Sequence, residues 1–198
     1  THIVFVYAGD LWTVPREGGV ASPLASPPGR EMNPRFSESG DEIAFVGNYD
    51  DGTDIYVCSV SGGIPRRVTY HPGRETLCDW TPEGGLLYFS SAFTGLSRMT
   101  HLLTISDEQP YPVKLPVPYG TNGAISPDGA WLAYTPYSRD TRTWKRYRGG
   151  MASDVWLFNL KTNTSKQITD WEGTDTLPMW HGQTVYYLSD AGPNSRLN

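Results

Sequence analysis

AISPDGAWLAY, Ala124 to Tyr134, runs from an apolar residue through a serine and an acidic glycine turn into an apolar stretch, and the chain returns to that order repeatedly. FSESGDEIAF (Phe36 to Phe45) and WTPEGGLLYF (Trp80 to Phe89) repeat it. PMWHGQTVYYL (Pro178 to Leu188) shortens it, and HIVFVY (His2 to Tyr7) is the second half of a further copy. Glycine enters a tight turn at positive φ without a Cβ clash, and Asp or Glu accepts local backbone bonds there. Each copy therefore reads as two strands and a turn.

Outward from these hairpins the chain divides into units of four short strands. The second unit reads NPRFS, EIAFVGN, DIYVCSV and RRVTY; the third CDWT, LLYFSS, HLLTIS and PVKLPV; the fourth GAIS, WLAYTPY, DVWLFNL and KQITD. SPPGREMNP (Ser26 to Pro34) is expected to be a connection. Phe36, Trp80 and Ile125 lie 44 and 45 residues apart, and the next interval, to Trp180, is 55. A period in the forties with four strands per repeat is the pattern of propeller blades. Apolar groups on both faces of DIYVCSV and DVWLFNL suit sheets covered on both sides.

The fold class is therefore all-β: an incomplete β-propeller of four-stranded antiparallel blades, WD40/TolB-like. The expected divisions are blade 1, lacking its first strand, over residues 1–33, then blades over 34–77, 78–122 and 123–177, and two strands of a fifth over 178–198. Sixteen prolines and 21 glycines agree with many short strands joined by turns.

A formal charge of −5 supplies no basic field for a phosphate backbone, so nucleic acid is not an expected partner. No apolar run reaches membrane-spanning length, so no membrane is expected either, and the first residues lack a signal-peptide layout. A start inside a repeat leaves room for a removed leader. Cys58 and Cys78 have no CxxC and no histidine at ligand spacing, and read as free buried thiols. There is no GxSxG elbow, and His2, His71, His101 and His181 are scattered over different units. His71, in TYHPG, and His181, in the shortened hairpin, read as turn or inter-blade residues. NYDDGTD (Asn48 to Asp54) looks like a calcium loop, but Ser59 stands where an EF-hand supplies its bidentate Glu, so a polar loop is expected. No catalytic residue, metal or cofactor is expected in this chain. Arg66 and Arg67 read as solvated protection of a sheet edge.

TWKRYRGG (Thr143 to Gly150) interleaves Lys145, Arg146 and Arg148 with Trp144 and Tyr147. Arginine forks bind carboxylates and aromatic faces stack on guanidinium. Two readings stand open: a grip on a peptide C-terminus or neighbouring domain, and a structural clamp with Arg148 tied to a carboxylate such as Asp154.

IVFVYAGDLWTVPREGG, RRVTYHPG, WTPEGG, TWKRYRGG, DVWLFNL and PMWHGQTVYYLSD together resemble the N-terminal six-bladed propeller of the tricorn protease family, over nearly the whole chain. The hairpins recur in TolB-like and prolyl-oligopeptidase-like propellers; TWKRYRGG before a third strand is more specific. The resemblance implies about four blades of an expected six, in a large homo-oligomeric serine peptidase that trims peptides released by the proteasome or similar proteases. It implies a propeller acting as channel, filter or docking module, with peptides and the other parent domains as partners and the catalytic groups elsewhere. A cytoplasmic location follows, or a periplasmic one if a leader was removed. The alternative is a stand-alone TolB-like interaction propeller with no peptidase activity.

Overall fold

The computed structural model describes residues 2–24, 27–49, 52–95, 99–137 and 147–192. Among them are seventeen strands in five antiparallel sheets, and no helix long and apolar enough to cross a membrane. The first sheet holds β1 (His2–Tyr7), β2 (Asp10–Pro15) and β3 (Ser22–Pro23). The second holds β4 (Arg30–Phe36), β5 (Glu42–Asn48), β6 (Asp54–Ser59) and β7 (Arg66–Arg67). The third holds β8 (Glu75–Trp80), β9 (Leu86–Ser90), β10 (His101–Ile105) and β11 (Val113–Lys114). The fourth holds β12 (Thr121–Ile125), β13 (Trp131–Thr135), β14 (Trp156–Asn159) and β15 (Thr164–Gln167), and the fifth β16 (Asp175–His181) and β17 (Thr184–Ser189). Each sheet runs in chain order.

The repeated turn has one chemistry. In the hairpin from β12 to β13, the Ser126 hydroxyl accepts the Trp131 amide at 2.9 Å, and the Gly129 amide donates to the Ser126 carbonyl at 2.8 Å. Gly129 has φ of +68°, a left-handed conformation that a side chain would strain. Ser37 and Thr81 repeat the hydroxyl contact, accepting the Glu42 and Gly85 amides at 3.1 Å each.

The leading strands β4, β8, β12 and β16 touch one another in sequence and form the inner row of an open propeller. The Trp80 indole donates to the Arg35 carbonyl at 3.0 Å, and the Trp180 indole to the Ala124 carbonyl at 3.1 Å, so the same repeat position stitches neighbouring inner strands twice. A backbone bond ties each leading strand to the sheet before it: Glu31 N to Gly9 O, Glu75 N to Thr53 O and Asp175 N to Ser153 O, with Gly120 N to Thr100 O just ahead of β12.

Three apolar clusters fill the first three joints. Leu11, Ile43, Phe45, Tyr56 and Cys58 lie between the first and second sheets. Val46, Ile55, Val57, Leu77, Tyr88 and Leu103 lie between the second and third. Leu87, Leu102, Leu132, Tyr134, Phe158 and Cys78 lie between the third and fourth. At about 1.5–3 kcal/mol for each large side chain buried, these joints are the main source of cohesion. Among the described residues nothing covers the outward faces at the two ends: Ile3 and Tyr7 are exposed on the first sheet, opposite to the face of Leu11, and Met179 and Tyr186 on the fifth, opposite to the face of Trp180.

The leading strands begin two or three residues before the expected starts at Asn33, Cys78, Gly123 and Pro178, so Arg30 to Pro34 is strand rather than connection. The cause is a bulge in each: register shifts between Met32 and Arg35, Leu77 and Asp79, Thr121 and Ala124, and Thr176 and Met179. Asn33, Asn122 and Leu177 take positive φ there, and Pro34 and Pro178 sit where no ladder amide is required. The outer strands β7 and β11 are two residues long, shorter than RRVTY and PVKLPV suggest.

Candidate functional site

Of the basic and aromatic stretch, Trp144, Lys145 and Arg146 lie outside the described residues; Tyr147 and Arg148 are within them. The two flanks of the insertion are both anchored. Before it, Tyr137 stacks on Tyr119 with ring centroids 5.3 Å apart and donates to its hydroxyl at 3.3 Å. After it, the Arg148 guanidinium meets the Asp190 carboxylate at 2.8 Å and lies 5.0 Å from the centre of the Trp171 ring.

Asp190 is a buried hub. One oxygen accepts from Arg148; the other accepts the Trp171 indole at 2.7 Å and the Thr174 amide at 3.0 Å. Burial pushes its titration up, but Arg148, the Thr174 amide and Trp171 outweigh that and hold it below the usual carboxylate range. Gly173 makes the approach possible, since a Cβ there would overlap the Arg148 guanidinium and the Asp190 carboxylate. The expected partner, Asp154, is not the one used. Asp154 instead accepts Gln167 Nε2 at 3.0 Å and the Thr169 hydroxyl at 3.5 Å. The Arg148 side chain is 31% exposed, so the fork is structurally committed on one side and open on the other.

Asp190, Trp171 and Gly173 were not singled out in the sequence. A signal was present: TDWEGTD (Thr169 to Asp175) repeats TYHPGRE (Thr69 to Glu75), with threonine, glycine and acid at the same spacing. The structure treats the two alike, Thr69 accepting the Ile55 amide at 2.8 Å and Thr169 the Val155 amide at 2.9 Å.

The remaining candidates are dispersed. His71 accepts the Gly73 amide on Nδ1 at 2.9 Å and sits 5.0 Å from Phe93, a turn role. His181 ends β16 at an exposed hairpin. In NYDDGTD, Asp50 and Asp51 lie outside the described residues, and Asp54 is bound to Arg67 at 2.7 Å. This corrects the reading of Arg67 as solvated: its guanidinium also lies 4.7 Å from the Tyr70 ring centre, and only Arg66, paired with exposed Asp107 at 3.0 Å, is a surface edge charge. Cys58 and Cys78 are free and buried in different joints, their thiols pushed up by burial to about 11 and about 12. Among the described residues no three His, Cys, Asp or Glu side chains converge as a metal set.

Compared with known proteins, residues 1–198 match the family described as the tricorn protease N-terminal beta propeller domain. Tricorn protease homolog 1 of Streptomyces coelicolor is 28% identical over 193 residues, which cover 95% of this chain and 18% of that protein. A crystal structure of the tricorn protease superposes with a TM-score of 0.83 at 24% identity, over 96% of this chain and 19% of that one. A putative TolB from Agrobacterium tumefaciens superposes at 0.73 and 17% identity, over 94% of this chain and 65% of that one. Both superpositions speak to the fold. The chain spans less than a fifth of the two tricorn proteins.

Proposed function

The chain belongs to the tricorn protease N-terminal beta propeller domain family, and we propose on that footing that it is the non-catalytic propeller portion of a larger, homo-oligomeric tricorn-like serine peptidase. It acts there as a channel or docking module for peptides on their way to or from catalytic groups in other domains. A cytoplasmic location goes with this reading, or a periplasmic one if a leader is removed.

The observation that carries the reading is the double anchorage of the basic and aromatic insertion, by Tyr119 with Tyr137 on one flank and by Asp190 with Trp171 on the other. Holding both flanks lowers the entropy that a loop loses when it grips a ligand. Arg148 and Tyr147 serve as the clamp, and Trp144, Lys145 and Arg146 meet peptide carboxylates or the neighbouring domain. The test is Arg146→Ala and Arg148→Ala in the full-length protein, assayed on peptides with free and with amidated C-termini. A KM raised for the free-acid peptide alone in Arg146→Ala supports the peptide reading. Unchanged turnover with altered assembly in both variants restricts the stretch to packing.

The extent of the TolB likeness supports a second reading, a stand-alone interaction propeller. A reading frame that stops soon after a sixth blade favours it; one continuing into a PDZ-like segment favours the peptidase.

A further inference from the structure

Two joints of this molecule place a glutamate at the same point and treat it in opposite ways. Glu31 stands opposite Gly47 in the second pair of β4 and Glu75 opposite Ser90 in the first pair of β8; each backbone amide donates to the preceding sheet, and each residue is 1% exposed. Glu31 is satisfied on both oxygens, by the Leu11 amide at 2.7 Å and by the Tyr49 hydroxyl. The amide equivalent to Leu11 in the next joint is that of Ile55, and Thr69 has taken it. Neither oxygen of Glu75 has a hydrogen-bond partner, and the same is true of the fully buried Tyr88 hydroxyl beside it and of Asp54 Oδ1.

A carboxylate removed from water without donors costs far more than a carboxylic acid in the same place. We infer that Glu75 is a proton-binding site that governs the joint between the second and third sheets, carrying its proton while the joint is closed and loosening the joint when the proton is lost. The surroundings supply little relief for a charge. β5 presents only Ala44 and Val46 to this joint, and β4 presents Met32 and Arg35, whose guanidinium is turned to the Cys78 carbonyl. From β6, the Asp54 charge opposes ionisation; from β7, Arg67 favours it but is already paired with Asp54. Thr69 stands close enough to favour the charged form, outside hydrogen-bonding geometry to either oxygen. On its own sheet, Tyr88 is raised by burial and by Glu75, and His101, in the same register row, is lowered by burial and by Lys114, so it offers no counter-charge at neutral pH.

Burial dominates these influences and lifts the Glu75 carboxyl from 4.5 to about 7. A group raised in the folded state stabilises it fully below its unfolded value, and that contribution falls away as pH climbs through the folded one. Opening of the joint therefore becomes easier across the interval from 4.5 to about 7 and levels off above it.

The experiment is hydrogen exchange read by mass spectrometry on the full-length protein and its Glu75→Gln variant, corrected for the intrinsic pH dependence of exchange. In the unsubstituted protein, the opening equilibrium of β6 and β8 should rise on the order of fifty-fold between about pH 5 and about pH 8, while β2 and β4 around Glu31 hold steady. Glu75→Gln should flatten the profile. No rise in the unsubstituted protein overturns the inference even if the variant fails to fold, and so does an equal rise in the variant or at the Glu31 joint.

Discussion

Asp190 is met by a guanidinium, an indole and a backbone amide, and its neighbour Gly173 is the residue that lets them converge. An added methyl group has no free space there and no flexible tip alone to displace, because the carboxylate and the indole are bonded to each other. Gly173→Ala should therefore cost about 3 kcal/mol, measured by denaturant unfolding. A cost within a few tenths would mean the cluster is loose. The cations and aromatics of the site were legible in the sequence because they are adjacent in it. Their partner was not: Asp190 lies 42 residues beyond Arg148 and reaches it only through the placement of the fifth sheet against the fourth. Asp154, nearer in sequence, is occupied by Gln167 and Thr169. Arg67 shows the same limit, since an arginine at a sheet edge looks solvated until the buried Asp54 across the register is known.

At the level of single elements, the first hairpin departs from the chemistry shared by the turns at Ser37, Thr81 and Ser126. Ala8 and Gly9 make the turn between β1 and β2, with φ of +55° and +98°. A two-residue turn with both angles positive favours Asn before Gly, and alanine carries its Cβ into the left-handed region at a cost. Ala8→Asn should raise stability by roughly 1 kcal/mol in thermal unfolding, since Ala8 is exposed and gives up no packing. The hairpins themselves were readable because turn residues and alternation report local geometry. The starts of β4, β8, β12 and β16 were not, because each bulge breaks the alternation just where the strand begins, and the residues up to Pro34 look like a connection when met in isolation. Outer strands were overestimated for the converse reason: apolar residues continue past the last ladder pair to cover the joint, as Leu115 and Val117 do beyond β11.

Across the whole molecule, the two uncovered faces are the outstanding feature. Ile3 and Tyr7 at one end and Met179 and Tyr186 at the other are 48–64% exposed, on faces of the kind that are covered elsewhere among the described residues. Isolated in solution, this chain should associate with further copies through these faces, and sedimentation at micromolar concentration should show dimers or larger species. A strictly monomeric profile would argue against that. The bonds described between sheets have a different implication. Among the described residues each joins one repeat to the next, and none reaches past a neighbour. Such bookending by adjacent units only means that a gene encoding this chain could gain or lose a single copy by unequal recombination and disturb only the joints at the splice, every contact elsewhere keeping the counterpart it had before.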